Sequence, residues 1–428
     1  MNILITGASG FIGSHLVDAM THAGHNVTAC VRNTHAAKHR WPGIHVEQGD
    51  FTRDHSEGNW LPRLTGIDAV INAVGIIRET GQQTFDALHT QTPIALFRAC
   101  KQAGVKRVIQ ISALGADDTA FSQYHLSKRA ADDVLMSLDL NWTILMPSIV
   151  YGPGAKSMAF FKAMATLPLI PIIDSGNQPV QPIHINDLCN AVIQLVEPGA
   201  PDTLRIEMVG PHPVTMKTIY GQLRHWLGLG TARFISMPYG LALVAGRLGG
   251  FLGNTPITPD AIKMLRNGNT ADVTPFIQQF GFMPIAFEDT LKQAPAQQPD
   301  NWHAGLFFLK PLLRFAIAFL WIFTGVISAF VFPAEQSIAM LAKAGITGVW
   351  APIMLYGAAA TDIALGLATL LAYRISLVGM IQISVIVLYT LIISFSQLEQ
   401  WLHPFGPISK NIPLIVATLV MIVLERKR

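Results

Sequence analysis

Tyr124 and Lys128 stand four residues apart in Tyr124-His125-Leu126-Ser127-Lys128, which leads into a helical pattern over 129–138. Residues four apart on a helix share a face, so the ammonium is expected beside the phenol. A neighbouring positive charge favours the phenolate and lowers the tyrosine pKa. A phenol tuned this way can exchange a proton with a substrate oxygen. The same spacing also occurs on any exposed helix, so its meaning depends on the surroundings. Ser112 closes a strand expected over 105–112 just upstream, and its hydroxyl would polarise a carbonyl if it reaches one.

The second chemical feature is a glycine turn. Asn2-Ile3-Leu4-Ile5-Thr6 reads as a short apolar strand, followed at once by Gly7-Ala8-Ser9-Gly10-Phe11-Ile12-Gly13. A helix is expected from near Ser14, with Leu16, Val17 and Met20 on its apolar side. In a dinucleotide-binding turn the first glycine allows the tight bend, the second admits the pyrophosphate and the third lets helix pack on strand. The helix N-terminus then offers free N–H groups and a partial positive charge to the phosphates. Strand, turn and helix come here in the required order, which a chance glycine triplet does not supply. The next strand, 27–31, ends at Arg32 with Lys38 and Arg40 nearby. A carboxylate at this strand end would hold the ribose 2′-OH of NAD(H), whereas an arginine suits a 2′-phosphate. NADP(H) is therefore expected over NAD(H), although Arg32 also reads as a plain surface cation.

The elements that must carry these residues alternate along the chain. Strands are expected over 44–49, 69–75 and 105–112 with helices between, which gives an α/β doubly wound parallel sheet. The whole chain has 428 residues, 50% of them hydrophobic and 13% charged. Its mean hydropathy is +0.38, high for a water-soluble protein. Charged residues recur through the first three hundred positions and thin out sharply afterwards. A net charge of +3, scattered along the chain, gives no case for nucleic acid. Cys30, Cys100 and Cys189 lie far apart without metal-ligand spacing, so reduced thiols and no metal site are expected. With a strand starting at Asn2, no secretory leader is expected, and the first domain is expected to stay in the cytoplasm.

Taken as a set, these motifs resemble the short-chain dehydrogenase/reductase superfamily in its extended and atypical branches. The matching residues are Thr6-Gly7-x-x-Gly10-x-x-Gly13, Gly49-Asp50, Asn72-Ala73-Val74-Gly75, Ser112 and Tyr124-x-x-x-Lys128. Pro147-Ser148-Ile149-Val150-Tyr151-Gly152-Pro153-Gly154 and Pro182-Ile183-His184-Ile185-Asn186-Asp187 match later segments. The resemblance covers about the first three hundred residues. It implies that Tyr124 and Lys128, with Ser112, are catalytic, and that Asp50 lies near the adenine while Ala73 and Gly75 line the cofactor. The candidate cofactor set begins with Gly7, Ser9, Gly10, Phe11, Ile12 and Gly13 of the turn and Arg32 after the second strand. It continues with Asp50, Phe51, Ala73, Val74, Gly75 and Pro147, with Tyr124 and Lys128 counted again. Ser112-Ala113-Leu114-Gly115-Ala116 and the stretch 259–291 look most like the subgroup that includes the nucleotide-binding accessory subunit of respiratory complex I. Two departures stand out. Ala113 follows Ser112 where many extended members carry a second hydroxyl residue. Met146 replaces the arginine common before the proline, which points away from a nucleotide-sugar substrate.

From about residue 301 the pattern changes. Apolar runs over 315–332, 345–373 (interrupted by Asp362), 375–395 and the shorter 408–424 (with Lys410 near its start) read as four transmembrane helices. This region resembles the DoxX-like four-helix membrane family, members of which are associated with quinone-linked redox chemistry. The resemblance rests on the four-run layout and on 356–370. The expected domains are 1–294 (dinucleotide-binding with a small substrate lobe), a Pro- and Gln-rich linker over 295–309, and an all-α transmembrane domain over 310–428. Lys310, Arg314, Arg374 and Arg426-Lys427-Arg428 fall on one side of such a layout, with only Lys343 and Lys410 opposite. That asymmetry predicts a multi-pass protein of a bacterial-type inner membrane, with both termini cytoplasmic. Asp362 either faces a polar partner within the span or lies near an interface. The apolar stretch 237–252 reads as a lid, a helix on the membrane surface or a buried helix of the substrate lobe.

Three functions remain open on this reading. The first is a membrane-tethered NADP(H)-dependent oxidoreductase acting on a lipophilic carbonyl, alcohol or quinone-like substrate. The second is a non-catalytic NADPH-binding assembly or sensor subunit in a membrane redox complex. The third, a nucleotide-sugar epimerase or dehydratase, suits the branch but neither Met146 nor the membrane region.

Overall fold

The computed structural model describes residues 1–248 and 258–426 and falls into two compact units, Met1–Ala304 and Gly305–Arg428. The first unit begins β1 (Asn2–Thr6), α1 (Phe11–His22), β2 (Asn26–Val31), α2 (Thr34–Arg40), β3 (His45–Gln48), α3 (Glu57–Trp60) and β4 (Ala69–Asn72). It goes on through α4 (Thr92–Ala103), β5 (Arg107–Ile111), α5 (Gln123–Ser137), β6 (Asn141–Pro147), β7 (Val150–Tyr151), α6 (Lys156–Thr166) and β8 (Ile170–Ile173). Then come β9 (Pro179–Val180), β10 (Ile183–His184), α7 (Ile185–Val196), β11 (Thr203–Met208), β12 (Val214–Thr215), α8 (Met216–Trp226) and β13 (Phe234–Met237). Helices α9 (Tyr239–Leu248), α10 (Pro259–Asn267), α11 (Thr274–Phe280) and α12 (Phe287–Gln293) complete this part.

Seven strands form one sheet in the order β11-β6-β5-β4-β1-β2-β3, every neighbour parallel. The chain winds outward from β1 in both directions, so the carboxyl ends of β1 and β4 form the crevice where such sheets take ligands. Side-chain alternation sorts each central strand between two cores. Ile3, Ile5 and Ile71 face Leu16, Val17, Leu188 and Phe276, whereas Leu4, Val70 and Val108 face Trp60, Leu96, Phe97 and Leu135. Both faces being covered by helices explains why the strands read as continuous apolar runs.

The glycine turn closes on itself as its spacing requires. Gly7 sits at φ +69, and a Cβ there would meet the Ala73 carbonyl oxygen at 2.8 Å. A Cβ on Gly13 would come within 2.1 Å of the Gly7 carbonyl oxygen. Helix α1 starts at Phe11, three residues before the expected Ser14, because the Ser14 N–H already bonds the Gly10 carbonyl at 3.0 Å. The smaller pairs β7–β10, β9–β12 and β8–β13 lie outside this sheet.

The second unit contains most of α13 (Gln298–Val326), then α14 (Ala334–Lys343), α15 (Trp350–Leu370), α16 (Ile375–Ser396) and α17 (Asn411–Glu425). Helix α13 runs through most of the expected linker: only Ala294 to Gln297 lie between α12 and its start. Three helical stretches, Gln298–Val331, Trp350–Leu370 and Ile375–Ser396, are long and apolar enough to cross a membrane. The fourth expected span is the 15-residue α17, about 22 Å long at 1.5 Å per residue and short of a ~30 Å hydrocarbon core. The helices meet through small residues: a Cβ on Gly366 would lie 2.8 Å from the Ile322 nitrogen, and one on Gly325 would lie 2.7 Å from the Ala359 oxygen. Lys310 and Arg314 on α13 pair with Glu425 of α17 at 3.3 and 3.1 Å. Asp362 lies near the middle of α15, half-buried, with its Cβ beside Gly325.

Replacing Gly13 by alanine is expected to cost at least about 2 kcal/mol, because backbone and not a flexible side chain blocks the added methyl. Thermal unfolding and NADPH titration of the variant check this, and an unchanged midpoint with unchanged affinity would contradict the close approach.

Candidate active site

Helix α5 sets the site. The Ser122 hydroxyl accepts a hydrogen bond from the His125 N–H at 3.1 Å and fixes the helix start at Gln123. Tyr124 then falls in the first turn, Lys128 in the second and Asp132 in the third, all on one face. Lys128 is buried, and its ammonium donates to the Val74 and Ile111 carbonyls, each at 3.0 Å. Those carbonyls follow β4 and end β5, so the charge is held at the carboxyl edge of the sheet. Burial lowers the lysine pKa to about 8, with the Asp132 carboxylate acting against the shift.

The tyrosine departs from expectation. Tyr124 is half-buried, and its pKa is pushed up to about 12, by burial first and by the Asp132 charge second. Desolvation of the phenolate therefore sets the shift in the protein without ligand, and Asp132 adds to it. Around its ring stand His89 (centroids 5.4 Å apart), His125 (5.5 Å) and Phe85 (6.1 Å). Phe121 and Ile77, both about half exposed, are further apolar side chains in the loops before α5 and after β4.

Ser112 also departs from expectation. Its hydroxyl is buried and donates to the Asp132 carboxylate, so it is engaged below Tyr124 and is not free for a substrate oxygen. Asp132 is fully buried, and burial raises its carboxyl pKa to about 7 against hydrogen bonds from Ser112 and Gln110 and the Lys128 charge. A second polar chain runs across the sheet: Thr6 donates to Asn72 at 2.6 Å, and Asn72 donates to Gln110 at 2.7 Å. His89 lies in a π-helical turn, Asp86–Gln91, and is fully buried. Its Nε2 accepts the Ile76 N–H at 3.0 Å, so the ring proton sits on Nδ1 and is donated to the Ser127 hydroxyl at 2.9 Å. Burial and the Lys128 charge hold its pKa well below the usual range. Sequence reading missed His89, Gln110 and Asp132. Only Asp132 carried a signal, its place four residues after Lys128 on the same helical face.

The turn residues gather as a cradle. No side chain caps the start of α1, which leaves the N–H groups near Phe11 and Ile12 to a ligand. Ser9 and Gly10 are exposed, and Ala73 and Val74 are half-buried beside them in the sheet order. A Cβ on Gly75 would come within 3.4 Å of the Lys128 ammonium, so the cradle reaches the catalytic candidates. Arg32 is exposed at the end of β2. Asp50, half-buried, has its carboxyl held low despite burial by Thr52 hydrogen bonds and the charges of Arg32 and Arg53. Phe51 is buried against Trp60, ring centroids 5.3 Å apart, and Pro147 is buried at the end of β6. These positions fit a dinucleotide, since the α1 N-terminus is left uncapped beside the exposed Ser9 and Gly10. Separately, a concavity of about 500 Å³ between α8 and α12 is lined by Gln222, Trp226 and Leu291, away from these residues.

Comparison with known proteins agrees with this layout. Residues 7–159 match the NAD(P)H-binding family, and residues 318–419 match the DoxX-like family. The chain thus combines an NAD(P)-binding N-terminal domain, like those of short-chain dehydrogenases/reductases, with a DoxX-like C-terminal domain. It is 29% identical over 248 residues to a ceramide reductase of Caulobacter vibrioides, covering 58% of this chain and 76% of that one. It is 26% identical over 253 residues to the mitochondrial NADH dehydrogenase [ubiquinone] 1 alpha subcomplex subunit 9 of Arabidopsis thaliana, covering 56% of this chain and 60% of the relative. An NADPH-dependent quinone oxidoreductase of Escherichia coli, solved with NADPH, superposes with a TM-score of 0.55 over 68% of this chain and 99% of its own. At 19% identity that likeness is one of fold.

The Asp132 arrangement has a pH consequence. Its folded pKa lies above the unfolded value, so its contribution to stability is complete below about pH 4 and is lost as pH rises through about 7. Asp132→Asn removes that loss, so its unfolding midpoint should gain on wild type between pH 4 and pH 8. A constant difference across that range would mean that the buried carboxyl does not titrate there.

Proposed function

We propose that the chain is a membrane-tethered NADP(H)-dependent oxidoreductase acting on a lipophilic carbonyl, alcohol or quinone-like substrate. The observation that carries this is Lys128, buried and held by two strand-end carbonyls one helical turn below Tyr124. The bound nicotinamide supplies or accepts the hydride. Tyr124, protonated at neutral pH, gives its proton to a carbonyl oxygen in reduction and takes one from the hydroxyl in the reverse direction. Lys128 has one ammonium proton left after its two carbonyl bonds, which is available to a ribose hydroxyl or the phenol. Gly7, Gly10 and Gly13 with the α1 N-terminus receive the pyrophosphate, with Ser9, Phe11 and Ile12 flanking it. Asp50 and Phe51 border the adenine pocket, and Ala73, Val74, Gly75 and Pro147 line the rest. Arg32 pairs with the 2′-phosphate. Ser112 acts through Asp132 and does not touch the substrate.

The Phe85 ring beside Tyr124, the exposed Phe121 and Ile77 and the apolar C-terminal helices support a lipophilic substrate, as does the likeness to a ceramide reductase. Tethering raises the effective concentration of the site toward molecules dissolved in the bilayer. The shared end of α13 and α17, with Lys310, Arg314 and Arg426, suits the cytoplasmic side of an inner membrane.

A second reading is a non-catalytic NADPH-binding subunit of a membrane redox complex. It is favoured by the engagement of Ser112 with Asp132, which leaves no free hydroxyl beside Tyr124 at that position, and by the likeness to a complex I subunit.

Three measurements test these readings. Tyr124→Phe is expected to lower kcat by about 10²–10⁴ while NADPH affinity changes little. Wild type that binds NADPH but oxidises it with no lipid aldehyde, ketone or quinone would instead establish the second reading. Arg32→Ala should weaken NADPH roughly tenfold and leave NADH nearly unchanged, by loss of a charge-assisted hydrogen bond. NADPH affinity should fall as pH rises through about 8, where Lys128 loses its proton, and a flat profile from pH 7 to 9 would argue against its contact with the cofactor.

A further inference from the structure

Helix α9 is packed the wrong way round for a helix that belongs only to its own domain. Its inward face is made of small residues: Ala242 is buried, and a Cβ on Gly246 would lie 2.8 Å from the Ile262 side chain and 3.4 Å from the Pro259 nitrogen. Its larger apolar residues point away, with Leu241 58% and Val244 46% exposed. The strand leading into it, β13, likewise exposes Ile235. A helix that left two turns of such residues in water would give up the gain that normally holds a surface helix in place.

The rim of this face is cationic. Arg247 is exposed at the last turn of α9, and Arg266 of α10 lies over the Tyr239 ring at 4.3 Å. Asp260 pairs with Lys263 at 3.6 Å, and no carboxylate pairs with Arg247 or Arg266 among the described residues. Large apolar side chains beside unpaired arginines on a short helix are the composition of an element that lies in a lipid–water interface. The same chain carries its own bilayer anchors, three helical stretches of membrane-spanning length from Gln298 onward.

We propose that the outer face of α9, with Leu241 and Val244 between Arg247 and Arg266, rests on the anionic headgroup surface of the membrane that the C-terminal helices cross. The apolar pair enters the headgroup–acyl boundary, and the arginines meet lipid phosphates. This docking does not depend on turnover at Tyr124.

The test uses the full chain with Val244→Cys carrying an environment-sensitive fluorophore. Cys30, Cys100 and Cys189 are buried, so the label goes to position 244. The protein is placed in phosphatidylcholine nanodiscs with and without phosphatidylglycerol, and in amphipol, which holds the spans without a bilayer surface. Blue-shifted emission and slowed reaction with aqueous dithionite are expected in the phosphatidylglycerol discs, with protection reduced by high salt. Arg247→Glu should lower the protection about fivefold, and Arg266→Glu about as much again, with NADPH binding intact as evidence of folding. Three results would overturn the proposal. A label as accessible in anionic discs as in amphipol leaves the face in water. Equal protection in amphipol means that another part of the protein or a second copy covers it. Equal protection in discs lacking phosphatidylglycerol removes the anionic surface from the account.

Discussion

A buried ammonium needs acceptors, and much of the nucleotide domain is arranged around supplying them to Lys128. The Val74 and Ile111 carbonyls become available only where β4 and β5 end side by side, and α5 must lie across that edge at the right register. The same register brings Tyr124 to the crevice and sinks Asp132 beneath it. Charge and burial then act on each other. The ammonium lowers the pKa of His89, Asp132 opposes the lysine's own downward shift, and Ser112 is drawn to the carboxylate. One cation thus links the strand edge, the aromatic surroundings of Tyr124 and the polar layer under the site.

The protonation states that follow differ from a simple tyrosine–lysine pair. With the phenol pushed up to about 12, Tyr124 is an acid at neutral pH in the protein without ligand. Reduction of a carbonyl needs such an acid, whereas oxidation of an alcohol needs the phenolate that burial disfavours.

The helical unit obeys a different solvent. Its helices meet at Gly325 and Gly366, where backbone of the neighbouring helix comes close, and at Gly379, where the Ile422 side chain fills the space of the missing Cβ. Its larger residues, among them Phe319, Phe330 and Val423, face outward, as expected where the surroundings are hydrocarbon. The polar contact between Gln382 and Thr369, 2.9 Å and fully buried, joins α15 to α16 where neither group could reach water.

Local order along the chain was enough to read the glycine turn, the parallel sheet, the Tyr124–Lys128 pair and the membrane-length helices. Each depends on spacing within one or two neighbouring elements. The start of α1, the helical course of 298–309 and the short α17 were less legible, since helix ends depend on which backbone groups find partners. Which charges meet across elements was not legible at all. His89 reaches the site through a π-helical turn with no sequence signature, and Ser112 bonds Asp132, twenty residues on, because α5 lays that carboxylate against the end of β5. The outward face of α9 belongs to the same class, because its alternating small and large residues acquire an inside only when α10 packs against one of them. The sequence by itself determined the cofactor class and the apolar helices of membrane-spanning length, which follow from local pattern and composition. Only the tertiary structure decided which buried groups meet and what Ser112 and α9 are packed against, because desolvation and long-range pairing exist only once distant segments pack together.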